Sequence, residues 1–169
     1  MKNVLNINNY IQDGFYKIAD AKEELGTDKW TLTNQHEDLY SEHRSWVYMI
    51  VDGDEVVKLG ETGNPLGIKK KYDDQPIIGT QCRFGRLRGY GNPRMTDDTD
   101  VRIRTHLQES VERGTVSLYA KKCKERIVTE TIAGKTVEIK LQSHKDIEQQ
   151  MLFYMEVNDR LPRLNAAKK

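Results

Sequence analysis

Tyr48 and Lys58 stand ten residues apart on either side of Asp52-Gly53-Asp54. If the runs flanking that turn pair, the two side chains reach neighbouring positions on one sheet face. The placing matters chemically, because an ammonium beside a phenol favours phenolate and lowers the tyrosine pKa. A phenolate bonded to water can act as a general base. Alone, the pair is more often a structural strand tyrosine near a surface lysine. Arg86 precedes Tyr90 by four residues in Arg83-Phe84-Gly85-Arg86-Leu87-Arg88-Gly89-Tyr90. A guanidinium fork binds two oxygens of a phosphodiester and the negative charge that develops there; loop arginines serve surface solvation about as often. Glu148 borders an apolar helical stripe, where a carboxylate can hold Mg²⁺ while water and phosphate complete the shell. A boundary glutamate in a salt bridge is the commoner outcome.

The elements that must position these groups follow from local pattern. Trp46 to Val51 and Glu55 to Gly60 are β-rich runs around the turn, which reads as a β-hairpin. Residues 1–44 form a polar leader, in which Ala19 to Leu25 reads as one short helix ended by Gly26. Residues 61–98 are rich in Gly, Pro and charge and read as loop. Thr99 or Asp100 can cap a helix running to about Arg113, stopped by Gly114. Thr115 to Ala120 alternates as a strand, with Val116, Leu118 and Ala120 on one face. Arg126 to Ile132 and Lys135 to Leu141 flank Ala133-Gly134 as a second hairpin. Ser143 then caps a helix from His144 to about Asn158, with Ile147, Met151, Tyr154 and Met155 as its buried stripe. The order gives an α+β domain: a small central antiparallel β-sheet flanked by helices, with an N-terminal extension.

With 169 residues, 37% hydrophobic and 31% charged, the chain suits one domain with a modest core. Net charge is only +1, yet basic residues cluster at Lys69 to Lys71, at Arg83, Arg86, Arg88 and Arg94, and at Lys121, Lys122, Lys124 and Arg126. Local basic runs under a neutral total suit a protein that meets phosphate on one face, or simply a solvated surface. Cys82 and Cys123 lie too far apart for a zinc motif and suit a reducing compartment. No apolar stretch approaches a membrane span and no signal peptide is visible, so the expectation is a cytoplasmic protein without membrane partners. His36, His43, His106 and His144 show no HExxH or triad context, and no GxxxxGK[ST] loop marks a nucleotide cofactor.

Taken together, Val47-Tyr48-Met49, Lys58-Leu59-Gly60-Glu61-Thr62, Arg86 with Tyr90, Glu148 on a helix and Asn165 resemble the GIY-YIG nuclease superfamily. The resemblance spans residues 46 to 165. VYM stands where the family has GIY and KLG where it has YIG. The lysine replacing the second tyrosine is similar to one branch of its restriction endonucleases, and compact phage endonucleases are similar in size and element order.

The resemblance implies a nuclease domain over residues 46–169 with an insertion near residues 63–82; the extension of residues 1–45 lies outside it and is a candidate for DNA recognition or dimer contacts. It implies Tyr48 as general base and Lys58 beside it, Arg86 on the scissile phosphate, and Tyr90 positioning phosphate or water. Glu148 becomes the sole protein ligand of one Mg²⁺, for which Mn²⁺ can substitute, and Asn165 closes the site. The products carry a 5′ phosphate. Arg86 is preferred to Arg83 and Arg88 because its spacing to Tyr90 matches the family pattern. The stretch from Gly60 to Arg86 is longer than usual, and VYM lacks the family glycine. The partner implied is double-stranded DNA, cut at a preferred sequence. Lys69, Lys70, Arg83, Arg88, Lys121, Lys122 and Lys124 are candidate DNA contacts, and symmetric sites suit a homodimer or higher homo-oligomer. Two other readings keep less of this: a non-catalytic DNA-binding or regulatory module on the same fold, and an unrelated α+β interaction domain.

Overall fold

Trp46 to Val51 has no polar position, so both of its faces need cover, and this run becomes the strand with neighbours on both sides. The computed structural model describes residues 3–23, 30–34, 43, 45–63, 102, 105–106, 109–110, 112–158 and 160–165. Its elements are α1 (Asn8–Ile11), β1 (Tyr16–Glu23), β2 (Trp30–Asn34), β3 (Trp46–Asp52), β4 (Glu55–Thr62), β5 (Val116–Lys122), β6 (Glu125–Ile132), β7 (Lys135–Gln142) and α2 (His144–Val157). One antiparallel sheet has the order β2-β1-β5-β3-β4, and β6 pairs with β7 alone. This is the α+β architecture expected, including both hairpins, the β5 strand and the last helix.

Each face of the sheet has its own core. Trp46, Tyr48 and Ile50 pack with Ile18, Val57, Leu118, Ala120 and Leu164 on one side. Val47, Met49 and Val51 pack on the other with Phe15, Val56, Leu59 and Met155 of α2, and Ile147, Met151 and Leu152 close that layer. The helical stripe differs from expectation at one position. Tyr154 is exposed, and Leu152 packs in its place.

The leader departs further from its reading. Residues 19–23, expected to open a helix, belong to β1, which pairs with β5 on one side and β2 on the other. Ala19, Ala21, Lys22 and Glu23 are sound helix formers by intrinsic preference. Burial of Ile18, Ala19 and Ala21 in the sheet core overrides that preference. Further upstream, Val56 N–H donates to Leu5 C=O (2.6 Å) and Ile7 N–H to Asp54 C=O (2.9 Å), so the leader also covers the start of β4. Ser143 makes no side-chain cap to α2; its hydroxyl donates to Lys124 C=O at 2.9 Å, tying the helix start to the β6 approach. Residues 102, 105, 106, 109 and 110 are helical, and Gly114 stops that turn at φ 64°. The expected caps Thr99 and Asp100 lie outside the described residues.

Asp52 anchors the tip of the β3–β4 hairpin. Its Oδ1 accepts from the Thr115 hydroxyl (2.6 Å), and its Oδ2 from the Ser110 hydroxyl (2.9 Å) and Arg113 (3.0 Å). Arg163 donates to His106 Nε2 at 3.2 Å, so that nitrogen bears no proton and makes no charged pair with Asp52. Burial, then Arg163, holds His106 below the ordinary histidine range. Burial works against the Asp52 carboxylate, but the Thr115 and Ser110 hydroxyls, with the Arg113 guanidinium, outweigh it and hold its pKa low. A depressed carboxylate stabilises the fold above its unfolded pKa and loses that contribution as pH falls through the folded value. Asp52→Asn is therefore expected to cost about 1–3 kcal/mol at neutral pH. In denaturant titrations its deficit should shrink below about pH 4; a deficit independent of pH contradicts the assignment.

Candidate active site

Tyr48 lies between Gly60 on β4 and Ala120 on β5, the two smallest neighbours a sheet can offer. A Cβ at residue 60 would stand 2.9 Å from Tyr48 Cε1 and closer still to Cζ and the hydroxyl oxygen. The phenol ring therefore lies across β4 over the bare glycine, 5% exposed. Lys58 pairs with Ile50, on the face that carries Tyr48 and one diagonal step from it. Between them and the turn, the register shifts at Ile50/Val51, so Val57 is the extra residue of a β-bulge.

Glu148 comes from the opposite direction. It lies on the inward stripe of α2 with His144, Met151 and Met155, on the face away from Tyr48. Burial pushes its carboxyl pKa up; the Glu61 carboxylate pushes the same way and the Lys58 ammonium opposes them. Glu148 is thus within electrostatic reach of both β4 side chains. Because β4 is the edge of the sheet, side chains from its two faces can meet around its rim. The tyrosine and the carboxylate start on opposite faces, and β4 is what they share.

Asn165 completes this edge. Its side-chain oxygen accepts from Leu59 N–H at 2.6 Å and its amide donates to Leu59 C=O at 2.8 Å. Leu164 N–H donates to Val57 C=O at 3.0 Å, at the bulge. The C-terminal turn thus pairs with β4 as a strand would, satisfying groups an edge leaves open. Asn165→Ala should cost about 1–2 kcal/mol and speed amide exchange at Leu59. Asn165→Asp keeps the acceptor but sets a carboxylate against a carbonyl, and its exchange should stay fast.

Compared with solved structures, the chain is similar to restriction endonuclease HPY188I in complex with product DNA, with a TM-score of 0.52. Identity is 15%, over 99% of this chain and 89% of that one. This chain shares the fold of that structure. It is also similar to a bacteriophage T4 EndoII mutant, at a TM-score of 0.55 and 16% identity, covering 95% of this chain and 99% of that one. No protein-family model matches the sequence, nor does any curated protein.

Of the residues singled out in the sequence, Tyr48, Lys58, Glu148 and Asn165 all act on residues 58–61 of β4 or belong to them. Arg86, Tyr90, Lys69, Lys70, Arg83 and Arg88 lie outside the described residues. Lys121 and Lys122 point to opposite faces of β5, with their ammonium groups 5.9 Å from the Phe15 ring centroid and 5.6 Å from that of Trp46. Lys124 is exposed beside β6.

Two further residues at the site escaped the sequence reading. His144 Nε2 lies 3.2 Å from Glu61 Oε2, and its Nδ1 lies 3.1 Å from the Ser45 hydroxyl. The signal available was spacing: His144 precedes Glu148 by one helical turn, and Glu61 directly follows Gly60. Among the described residues no three His, Cys, Asp or Glu side chains form a metal cage. A half-buried carboxylate with a second one beside it is still a donor set that fits a hard divalent cation sharing its shell with water and substrate oxygens. No described helix is long and apolar enough to cross a membrane.

Proposed function

We propose that this chain is a metal-dependent DNA endonuclease of the GIY-YIG type, hydrolysing phosphodiester bonds in double-stranded DNA. The observation that supports the reading is the likeness in fold to a restriction endonuclease structure, with Tyr48 lying over Gly60 of the edge strand β4 and Glu148 within the electrostatic reach of Lys58 and Glu61 on that strand. Tyr48 takes a proton from the attacking water, and the Lys58 ammonium on the same face favours the phenolate and orients water or phosphate. Arg86 grips the non-bridging oxygens and Tyr90 assists it. Asn165 keeps β4 in place under both side chains. Glu148 would hold one Mg²⁺ or Mn²⁺, which would supply charge stabilisation for the leaving 3′ oxygen. The product then carries a 5′ phosphate.

Sequence preference belongs to segments outside this centre: residues 1–45, the insertion near 63–82, and the β6–β7 hairpin with Lys124. Cutting both strands of a symmetric site suits a homodimer, in a cytoplasmic setting where its DNA is found. Incubation with supercoiled plasmid and Mg²⁺ tests the reading. Conversion to nicked and linear DNA that EDTA stops is the expected result. Retardation of DNA without cleavage, in Mg²⁺ and in Mn²⁺, assigns the chain instead to non-catalytic DNA binding. Discrete linear fragments distinguish sequence-specific cutting from random nicking.

A further inference from the structure

His144 is 3% exposed, and the proposed chemistry does not use it. Its partners fix its proton. The Glu61 carboxylate can only accept, so Nε2 carries the hydrogen at 3.2 Å; Nδ1 then accepts from the Ser45 hydroxyl at 3.1 Å. Burial, the largest influence, disfavours the charged imidazolium despite Glu61, in keeping with a neutral ring of this tautomer. The ring is also clamped sterically. A Cβ added at Gly63 would stand 2.7 Å from His144 Cε1, 2.8 Å from Nε2 and 2.7 Å from the Gln142 side-chain oxygen. The imidazole thus joins the residue before β3, the end of β4 and the first turn of α2. Glu148 lies one turn further along that helix, within the field of Glu61.

We propose that His144 is a positioning residue of the nuclease site: it holds the Glu61 carboxylate beside Glu148, where Glu61 supports the metal through water. The inference rests on Glu148 being the metal ligand. With one oxygen of Glu61 engaged by His144, the carboxylate retains lone pairs that accept from coordinated water. Divalent ions such as Mg²⁺ keep several waters, and the groups that orient the first shell govern affinity. The neutral imidazole adds no positive charge to the site, whereas a lysine or arginine in its place would repel the cation.

Mn²⁺ binding followed by electron paramagnetic resonance on the DNA-free protein tests this, alongside cleavage rates across a range of Mg²⁺ concentrations. His144→Ala and Glu61→Gln should each weaken Mn²⁺ binding about 10–100-fold. Both should lower kcat at limiting metal while leaving DNA affinity intact. Because His144 acts through Glu61, the double variant should be no worse than the worse single one. His144→Gln, which can still donate to Glu61, should recover part of the loss. Should His144→Ala fail to fold by circular dichroism, Glu61→Gln carries the test. Wild-type Mn²⁺ affinity and Mg²⁺ dependence in folded Glu61→Gln overturn the proposal, provided Glu148→Gln has lost both. If Glu148→Gln itself binds Mn²⁺ and cuts DNA normally, the reading of the metal ligand fails first.

Discussion

Glu148→Gln should lower Mg²⁺-dependent cleavage by on the order of 10³-fold, the several kcal/mol of transition-state stabilisation that a metal supplies at a leaving oxygen. DNA binding should persist, since the change removes no basic group. The stability of the metal-free protein should move the other way. Burial and the neighbouring Glu61 both disfavour the ionised carboxylate. A carboxyl whose folded pKa is raised costs stability once pH exceeds its unfolded value, so at neutral pH the neutral amide relieves a penalty. Thermal unfolding without metal should therefore show an unchanged or higher melting temperature for Glu148→Gln. Loss of function together with loss of stability would mark Glu148 as a structural boundary residue, the bland alternative. Tyr48→Phe provides the companion measurement: the ring keeps its place over Gly60 while the proton acceptor is gone, so cleavage should fall with the fold intact.

Gly60→Ala should be the most disruptive single methyl group in the described part of the molecule. The added carbon has no space, because it meets the Tyr48 ring at 2.9 Å or less. Gly60 shows no positive φ, so the need for glycine is steric rather than conformational. Overpacking of this kind costs about 1–3 kcal/mol, a fall of roughly 2–12 °C in melting temperature for a chain of this size. Cleavage should drop further than stability, since the displaced ring carries the proposed base. A double-variant cycle separates clash from other causes. In a Tyr48→Ala background, Gly60→Ala should cost nothing more, whereas in Tyr48→Phe the clash with the ring carbons persists. If Gly60→Ala is tolerated in the wild-type background, the tyrosine does not lie across β4. The pairing of Tyr48 with Gly60 also gives a physical reason why a glycine follows Lys58-Leu59 in the second motif.

The β3–β4 hairpin was readable because three local features agree: two β-rich runs, a turn signal between them, and a glycine, Gly53, that takes the positive φ of the turn. The β6–β7 hairpin was equally open to local reading, with Ala133 and Gly134 both at positive φ as a tight two-residue turn requires. β1 was misread because its composition favours a helix and only its partners β5 and β2 reveal a strand. Tyr154 was placed inside because helical spacing locates a stripe but not its edges; the side chain ends in solvent while Leu152 turns inward.

For the proposed site, residue type and spacing singled out Tyr48, Lys58 and Glu148 only as weak candidates, and the family resemblance is what joined them to each other and to Asn165. What they could not supply was the geometry. That Tyr48 and Glu148 approach from opposite faces and share the rim of β4 depends on strand order, which no local pattern encodes. The Ser45–His144–Glu61 chain spans 99 positions of sequence between its first two members, and Asn165 reaches back 106 positions to Leu59. Local sequence determines which segments become strands or helix, since those preferences act over a few residues. Which side chains become neighbours is decided by tertiary packing, because burying two faces of one sheet is a constraint on the whole chain at once.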